Sequence, residues 1–326
     1  MTGVWYRSGS QWVGSSGVGS GEPPPPAGAA KFAGHVPNRV LFGFAASEVT
    51  NTKLTYADAV ALTGTIYERR KFKASWVTES WLNTTLDEIL GDNQYPWLSF
   101  KVTGNDWAGV AAGGYDSGLD TIIKVAGQRT GDDFCVSVHH EPSGDGSLSD
   151  WAAMQTYISN YLADVPNLAF APIGNGWWFS SVQWDPASFN AAFPQSLLGT
   201  LNANQHFLAV DTYDSASAAD RAATKMGNFI DWCRERNVAA CGFGEWGCET
   251  GDHVAVCWNL LADNCDIVGV ANYFNSGENT TRNYLLVPNP YTGSNGESVG
   301  TAESQVRLDN WKLARTASAS ANPGHI

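Results

Sequence analysis

Eight short runs of β-branched and aromatic residues recur along the chain, and a stretch with helical spacing follows each of them. The runs are Val40–Ser47, Lys71–Val77, Trp97–Thr103, Phe134–His140, Leu168–Gly174, His206–Tyr213, Val238–Glu245 and Ile267–Phe274. This alternation is the pattern of repeated βα units, in which a crossover helix returns the chain to the start of the next parallel strand. Eight such units predict an α/β fold closed into a (β/α)8 TIM barrel. The competing open, doubly wound sheet would carry a glycine-rich phosphate turn after an early strand, and Phe42-Gly43-Phe44-Ala45-Ala46 is no such turn.

The helices are read from their caps and spacing. Thr85-Leu86-Asp87-Glu88 is a capping box opening one, and Ser149-Asp150 starts another. Further helices are expected over Ala218–Arg236, Asp252–Leu261 and Glu303–Ala314. Residues 1–37 differ from the rest: Gly14–Gly21 is rich in Gly, Ser and Val, and Glu22-Pro23-Pro24-Pro25-Pro26 would form a stiff spacer. The expected division is a flexible tether over 1–37 and a catalytic barrel over 38–326. Of the six cysteines, Cys248, Cys257 and Cys265 could form a disulfide or remain buried thiols.

Composition removes several function classes. With 32 acidic and 19 basic residues the net charge is −13, which disfavours a Lys/Arg grip on nucleic acid or an anionic membrane. No apolar run approaches the roughly 20 residues of a bilayer span. The N-terminus lacks the basic start and apolar core of a secretory signal.

Chemistry in such barrels sits at the C-terminal ends of the strands, where the βα loops converge. Two carboxylates stand there. Glu141 follows the fourth run in VSVHHEPSGDG, and Glu245 ends the seventh in CGFGEWGCE. A lone carboxylate on an otherwise apolar strand needs a purpose or a partner. Two across a barrel mouth can flank a glycosidic bond, one protonating the leaving oxygen while the other attacks the anomeric carbon or activates water. The bland alternative is an interior ion pair. No Lys or Arg lies between Thr130 and Asp220, so a partner cation is expected only from Lys71, Lys73 or Lys101.

Sugars pack their C–H faces on aromatic rings and bond their hydroxyls to polar side chains. The strand ends supply both. Trp76, Trp107, Trp178, Trp246 and Tyr273 are the aromatic candidates, with Trp177 and Trp184 nearby. His139, His140, Asn175, Asp211 and Tyr213 are the polar ones. Several of the tryptophans could equally plug the barrel, and either histidine could be a hydrogen-bonded core residue. The loop Asn275–Thr301 is a candidate cleft wall. No cofactor is expected. A metal site at His139, His140 and Asp211 is disfavoured, because adjacent strand residues do not share a face.

An acid/base Glu after strand four and a nucleophile Glu after strand seven resemble the arrangement of clan A glycoside hydrolases. Within that clan, His140-Glu141 is similar to family 26, best known for β-mannanases. The likeness extends to Trp97-Leu98-Ser99-Phe100-Lys101, Asp211-Thr212-Tyr213 and Gly244-Glu245-Trp246-Gly247. It implies that Glu141 is the acid/base, Glu245 the nucleophile and His140 a ligand of sugar hydroxyls, and Tyr213 would donate to Glu245. The chain departs from that family in Ser137-Val138-His139, where an Arg-Pro pair is usual, and in Pro142-Ser143-Gly144-Asp145-Gly146. This suggests a divergent branch.

The opening Val4–Val13 and the Gly/Pro spacer resemble segments of minor tail proteins of phages that infect actinobacteria. That resemblance implies a virion tail component or other extracellular protein, tethered through its N-terminus. Its partner would be a cell-envelope polysaccharide such as an arabinan, galactan or mannan, with neither nucleic-acid binding nor membrane insertion. The alternatives are a carbohydrate-binding barrel without catalysis, a secreted plant-type β-mannanase and a metal-dependent hydrolase.

Overall fold

The structure, a computed structural model, describes residues 5–8, 11–14, 40–45, 54–64, 68–215, 220–275, 284–293 and 296–321. Within the expected tether, β1 (Trp5–Ser8) and β2 (Gln11–Gly14) pair antiparallel. That segment therefore contains a hairpin, and the Pro-rich spacer lies outside the described residues.

The barrel begins with β3 (Leu41–Ala45), α1 (Tyr56–Thr63), β4 (Glu68–Lys73) and α2 (Glu79–Gly91). Next come β5 (Tyr95–Phe100), α3 (Trp107–Ala111), α4 (Asp116–Gln128), β6 (Phe134–Val138) and α5 (Leu148–Tyr161). The fifth unit holds β7 (Leu168–Phe170), β8 (Ile173–Asn175), α6 (Pro186–Ala192) and α7 (Gln195–Ala203). The last three contribute β9 (Leu208–Tyr213), α8 (Ala222–Glu235), β10 (Cys241–Gly247), α9 (Gly251–Asp263), β11 (Val268–Phe274) and α10 (Ala302–Ala321).

The nine barrel strands form one parallel ladder, in the order β7-β6-β5-β4-β3-β11-β10-β9-β8. Its two end members are halves of one chain segment, parted only by Ala171-Pro172. Ala209 N–H donates to Pro172 O at 2.9 Å and Glu141 N–H to Ile173 O at 3.0 Å, so the ladder closes into the eight-unit ring.

Strand alternation separates two cores. Inside the ring, Leu41, Tyr95, Trp97, Cys135, Ala169, Ile173, Phe207, Ala209 and Val270 pack together. Ala169, Ala171, Ala209 and Ala240 in the same cluster leave room for the Trp97 and Phe207 rings, so the lower barrel is solid. The outward residues, among them Phe100, Val136, Val138, Val210 and Phe243, pack against the helices.

Two expected boundaries shift. The second strand runs Glu68–Lys73 rather than Lys71–Val77, because a charged segment can be a strand when its inward charge is paired inside the ring. The second helix is capped by Thr78, whose side chain accepts from Trp81 N–H, so Thr85–Glu88 lies within it rather than at its start. All six cysteines are thiols. Cys248 and Cys257 are buried with their sulfurs 3.5 Å apart. Among the described residues, no helix is long and apolar enough to cross a membrane.

Candidate active site

Above the apolar plug, the inward positions turn polar. On β9, Ala209 faces inward, so Asp211 and Tyr213 follow it on the same face. On β5 the inward series is Trp97, Ser99 and Lys101, and on β4 it is Arg70 and then Phe72. This layer forms the floor of the site.

Arg70 organises that floor. Its guanidinium is fully buried, with Nη1 3.0 Å from Asp211 Oδ1, 3.1 Å from Asp211 Oδ2 and 3.0 Å from Glu245 Oε1. Burial works against its charge, but Asp211 and Glu245 together hold it ionised. The cation expected from Lys71, Lys73 or Lys101 is therefore Arg70. Lys71 instead pairs with Glu88, Lys101 pairs with Asp145, and Lys73 lies over the Trp81 ring. Arg70 stands just before the run Lys71–Val77 expected from sequence, because the strand begins three residues earlier, at Glu68. The signal was present: Arg70 and Phe72 share the period-two face of Glu68–Lys73.

Glu245 reaches this layer through a bulge. On β10, Phe243 pairs with Val210 but Glu245 pairs with Asp211, and Gly244 is the extra residue. Gly242 and Gly244 both face the ring interior. A Cβ on Gly244 would lie 2.5 Å from Asp211 Oδ1 and 3.0 Å from Arg70 Nη1. Strict alternation would then send Glu245 outward, but the extra residue re-aims it inward. Tyr213 donates its phenol proton to Glu245 Oε2. Burial and the nearby carboxylates keep that phenol protonated.

Glu141 arrives by a different distortion. Both His139 (φ 54°) and Glu141 (φ 53°) are left-handed. This bend turns His140 and Glu141 to the same side, so that one ligand atom each of His140, Glu141 and Asp211 fall within 4.8 Å of one another. Burial, and next the charge of Glu245, push the Glu141 carboxyl up to about 7, with Arg70 and Lys101 pulling the other way. His140 Nδ1 is 2.8 Å from Ser99 Oγ, and burial beside Arg70 holds its imidazole well below the ordinary range, hence neutral. Burial raises the Asp211 carboxyl, Arg70 opposes the rise, and Glu245 and Glu141 add to it.

The residues brought together are His140, Glu141 and Asp211, not His139, His140 and Asp211. Arg70 engages both Asp211 oxygens, so a metal ion would meet a guanidinium already in place.

Several expected sugar contacts are not brought to the cleft. Trp178, Trp246 and Tyr273 are fully buried, and Trp107 is nearly so, leaving no ring face for a ligand. The bulge that turns Glu245 inward turns Trp246 outward onto Trp311. Tyr273 occupies the outward register of β11 and donates to Tyr284 O, whereas Asn272 holds the inward one. Trp107 packs on His139, and Trp178 on Phe193. His139 is buried, bonded to Asp145. Asn175 is nearly buried and its Oδ1 accepts Ser143 N–H, so it holds the loop after Glu141. Trp76 is half-buried against Phe100 and Tyr115. The exposed rings at the strand ends are instead Phe72, edge-on to His140, together with Trp177 and Trp184. The expected cleft wall, Asn275–Thr301, is described only in part.

No family model matches the chain, and no curated protein matches it. Solved structures do. The catalytic domain of the Thermobifida fusca endoglucanase Cel5A is 15% identical, with 95% of this chain and 97% of that one covered and a TM-score of 0.55. A triply substituted endo-β-1,4-glucanase from Xanthomonas axonopodis pv. citri is 13% identical over 84% of this chain and 99% of its own, with a TM-score of 0.56. XacCel5A in complex with cellopentaose is 12% identical over the same shares, with a TM-score of 0.58. At these identities the likeness is one of fold: the chain has the barrel of these endoglucanases.

Proposed function

We propose that this barrel is a retaining glycoside hydrolase that cuts within a neutral polysaccharide, with Glu245 as nucleophile and Glu141 as general acid/base. The observation that carries it is the pairing of two carboxylates in opposed environments. Glu141 is held protonated up to about pH 7 by burial and by Glu245, while Glu245 is held by Arg70 and Tyr213. A carboxyl that keeps its proton and one fixed by a cation and a phenol donor can divide the roles of acid and nucleophile between them.

In the first step a Glu245 oxygen forms a bond to the anomeric carbon. The glycosidic C–O bond breaks, and Glu141 gives its proton to the departing oxygen. Glu245 is then an uncharged ester, so the charge that raised the Glu141 pKa is gone and Glu141 remains a carboxylate. It takes a proton from water as the water oxygen attacks the same carbon. Glu245 leaves as a carboxylate, and two inversions restore the original configuration.

The neutral character of the substrate is supported by the cleft's cations. Arg70 and Lys101 are both paired with carboxylates, leaving little call for an anionic ligand. The endo-acting neighbours, one holding cellopentaose, make β-1,4-glucan the first polymer to test. β-Mannan, arabinan and galactan follow from the likeness to family 26 and the tail-protein reading of residues 1–37.

The test is a screen of purified protein on these four polymers, with Glu245→Ala as control and NMR of the first-formed anomer. Retained configuration and loss of activity in Glu245→Ala are expected. An inverted anomer, or activity that survives Glu245→Ala, would overturn the assignment. Binding of glycan with no cleavage would favour a non-catalytic barrel.

A further inference from the structure

The loop that carries Glu141 is gathered at one point beyond it. Asp145 Oδ2 lies 3.0 Å from His139 Nε2 and 3.2 Å from Lys101 Nζ. The backbone of the same residue closes the turn: Asp145 N–H donates to Pro142 O at 3.1 Å, and Asp145 O accepts Asn105 Nδ2–H at 2.9 Å. One residue thus ties the end of β5 and the end of β6 to the loop that follows β6.

His139 is fully buried, and its Nδ1 has no hydrogen-bond partner. A bare buried Nδ1 leaves the single proton of a neutral imidazole on Nε2, where Asp145 accepts it. His139 is also the first of the two left-handed residues that swing His140 and Glu141 to the same side. A left-handed conformation at a residue with a side chain persists only where its surroundings enforce it. Here Trp151 Nε1–H to His139 O, at 2.8 Å, holds the backbone, and Asp145 holds the ring. Lys101 and Asp145 both act on the charge of Glu141, in opposite directions.

We propose that Asp145 is a positioning residue for the acid/base. By taking His139 and Lys101 on one carboxylate oxygen, it locks the bend that aims Glu141 at the leaving-group oxygen. This rests on the reading of Glu141 as acid/base. A purely stabilising ion pair is a poor account, since the Lys101 and Asp145 side chains are each about one-third exposed (33% and 32%) and such pairs add little to folding.

The test uses the full chain with Asp145→Ala and Asp145→Asn, the latter keeping an acceptor for His139. kcat/KM is measured for cellopentaose, whose leaving sugar needs protonation, and for 2,4-dinitrophenyl β-cellobioside, whose phenolate does not. The mannose counterparts are used if the wild type prefers them. The expected result is a fall of about tenfold or more in the ratio of the two values for Asp145→Ala. Asp145→Asn should recover part of it, and both variants should melt within a few degrees of wild type. An unchanged ratio, or equal loss on both substrates, overturns the positioning role. Where the wild type cuts arabinan or galactan instead, the oligosaccharide and dinitrophenyl glycoside of that sugar take the place of these two. A folded wild type without Glu245-dependent activity on any of the four polymers overturns the acid/base reading itself, and this proposal with it.

Discussion

Arg70 Nη1 and Glu245 Oε1 lie 3.0 Å apart, although one residue leaves the second strand of the ring and the other the seventh. The same nitrogen bonds both oxygens of Asp211. A single buried cation therefore serves two carboxylates, and the site cannot lose it quietly. Arg70→Met should leave Asp211 and Glu245 facing each other without a counter-charge. The expected destabilisation is about 3–5 kcal/mol by urea unfolding, and Arg70→Met/Asp211→Asn should recover part of it. A loss under about 1 kcal/mol, smaller than the usual cost of breaking a buried pair, would contradict this picture.

The acid role proposed for Glu141 predicts a pH signature. Its carboxyl titrates near 7, so kcat/KM on a polysaccharide should decline as the pH rises through that value. Lys101 pulls this pKa down, so Lys101→Met should move the alkaline limb upward. The shift also bears on folding. The folded state holds this proton more tightly than the unfolded chain, so its contribution to stability is full below the ordinary Glu pKa and is lost as the pH climbs through about 7. A kcat/KM profile flat from pH 6 to 9 would count against Glu141 as the acid.

The proposed roles of Glu141 and Glu245 also predict a chemical rescue. Glu141→Ala should reduce polysaccharide cleavage by about 10²–10⁴. Sodium azide should restore turnover of a 2,4-dinitrophenyl glycoside and give a β-glycosyl azide if the natural linkage is β. Glu245→Ala should not respond in this way. Product identification by mass spectrometry and NMR separates the two outcomes.

Gly244 is where the bulge and the Arg70–Asp211 pair meet. A Cβ there would press on Asp211 Oδ1, on Arg70 Nη1 and, at 2.9 Å, on Ile173 Cδ1. Gly244→Ala is therefore expected to destabilise by about 1–3 kcal/mol through overpacking and to reduce kcat more than KM, since it displaces Arg70, the partner of the proposed nucleophile Glu245. Unaltered kinetics would show that the floor can relax.

Native thiol labelling should find Cys265, the one half-exposed cysteine, well before the other five, which are buried. Denaturation should release all six. Equal labelling of Cys248 and Cys257 in the native protein would place the β10–α9 connection in water, contrary to its packing.

The barrel was legible in the sequence because a strand buried on both faces is a short, mostly apolar run, and such runs recurring with helices between them leave few architectures. Glu141 and Glu245 were legible for the same reason: a carboxylate at the end of an apolar strand is conspicuous. Arg70 was not. Its strand, Glu68–Lys73, looks like surface until the ring closes around it and supplies Asp211 and Glu245 as partners. Nor could alternation say which face each terminal residue takes. An inserted residue at Gly244 exchanges the facing of Glu245 and Trp246, and the left-handed His139 brings His140 to the side of Glu141. Such distortions are small in one strand but are set by its neighbours: Val210 and Asp211 across the ladder in the first case, Asp145 and Trp151 in the second. Local sequence placed the carboxylates at the mouth of a barrel. Only tertiary packing decided that both reach the layer around Asp211 and Arg70, and that most of the tryptophans beside them turn away.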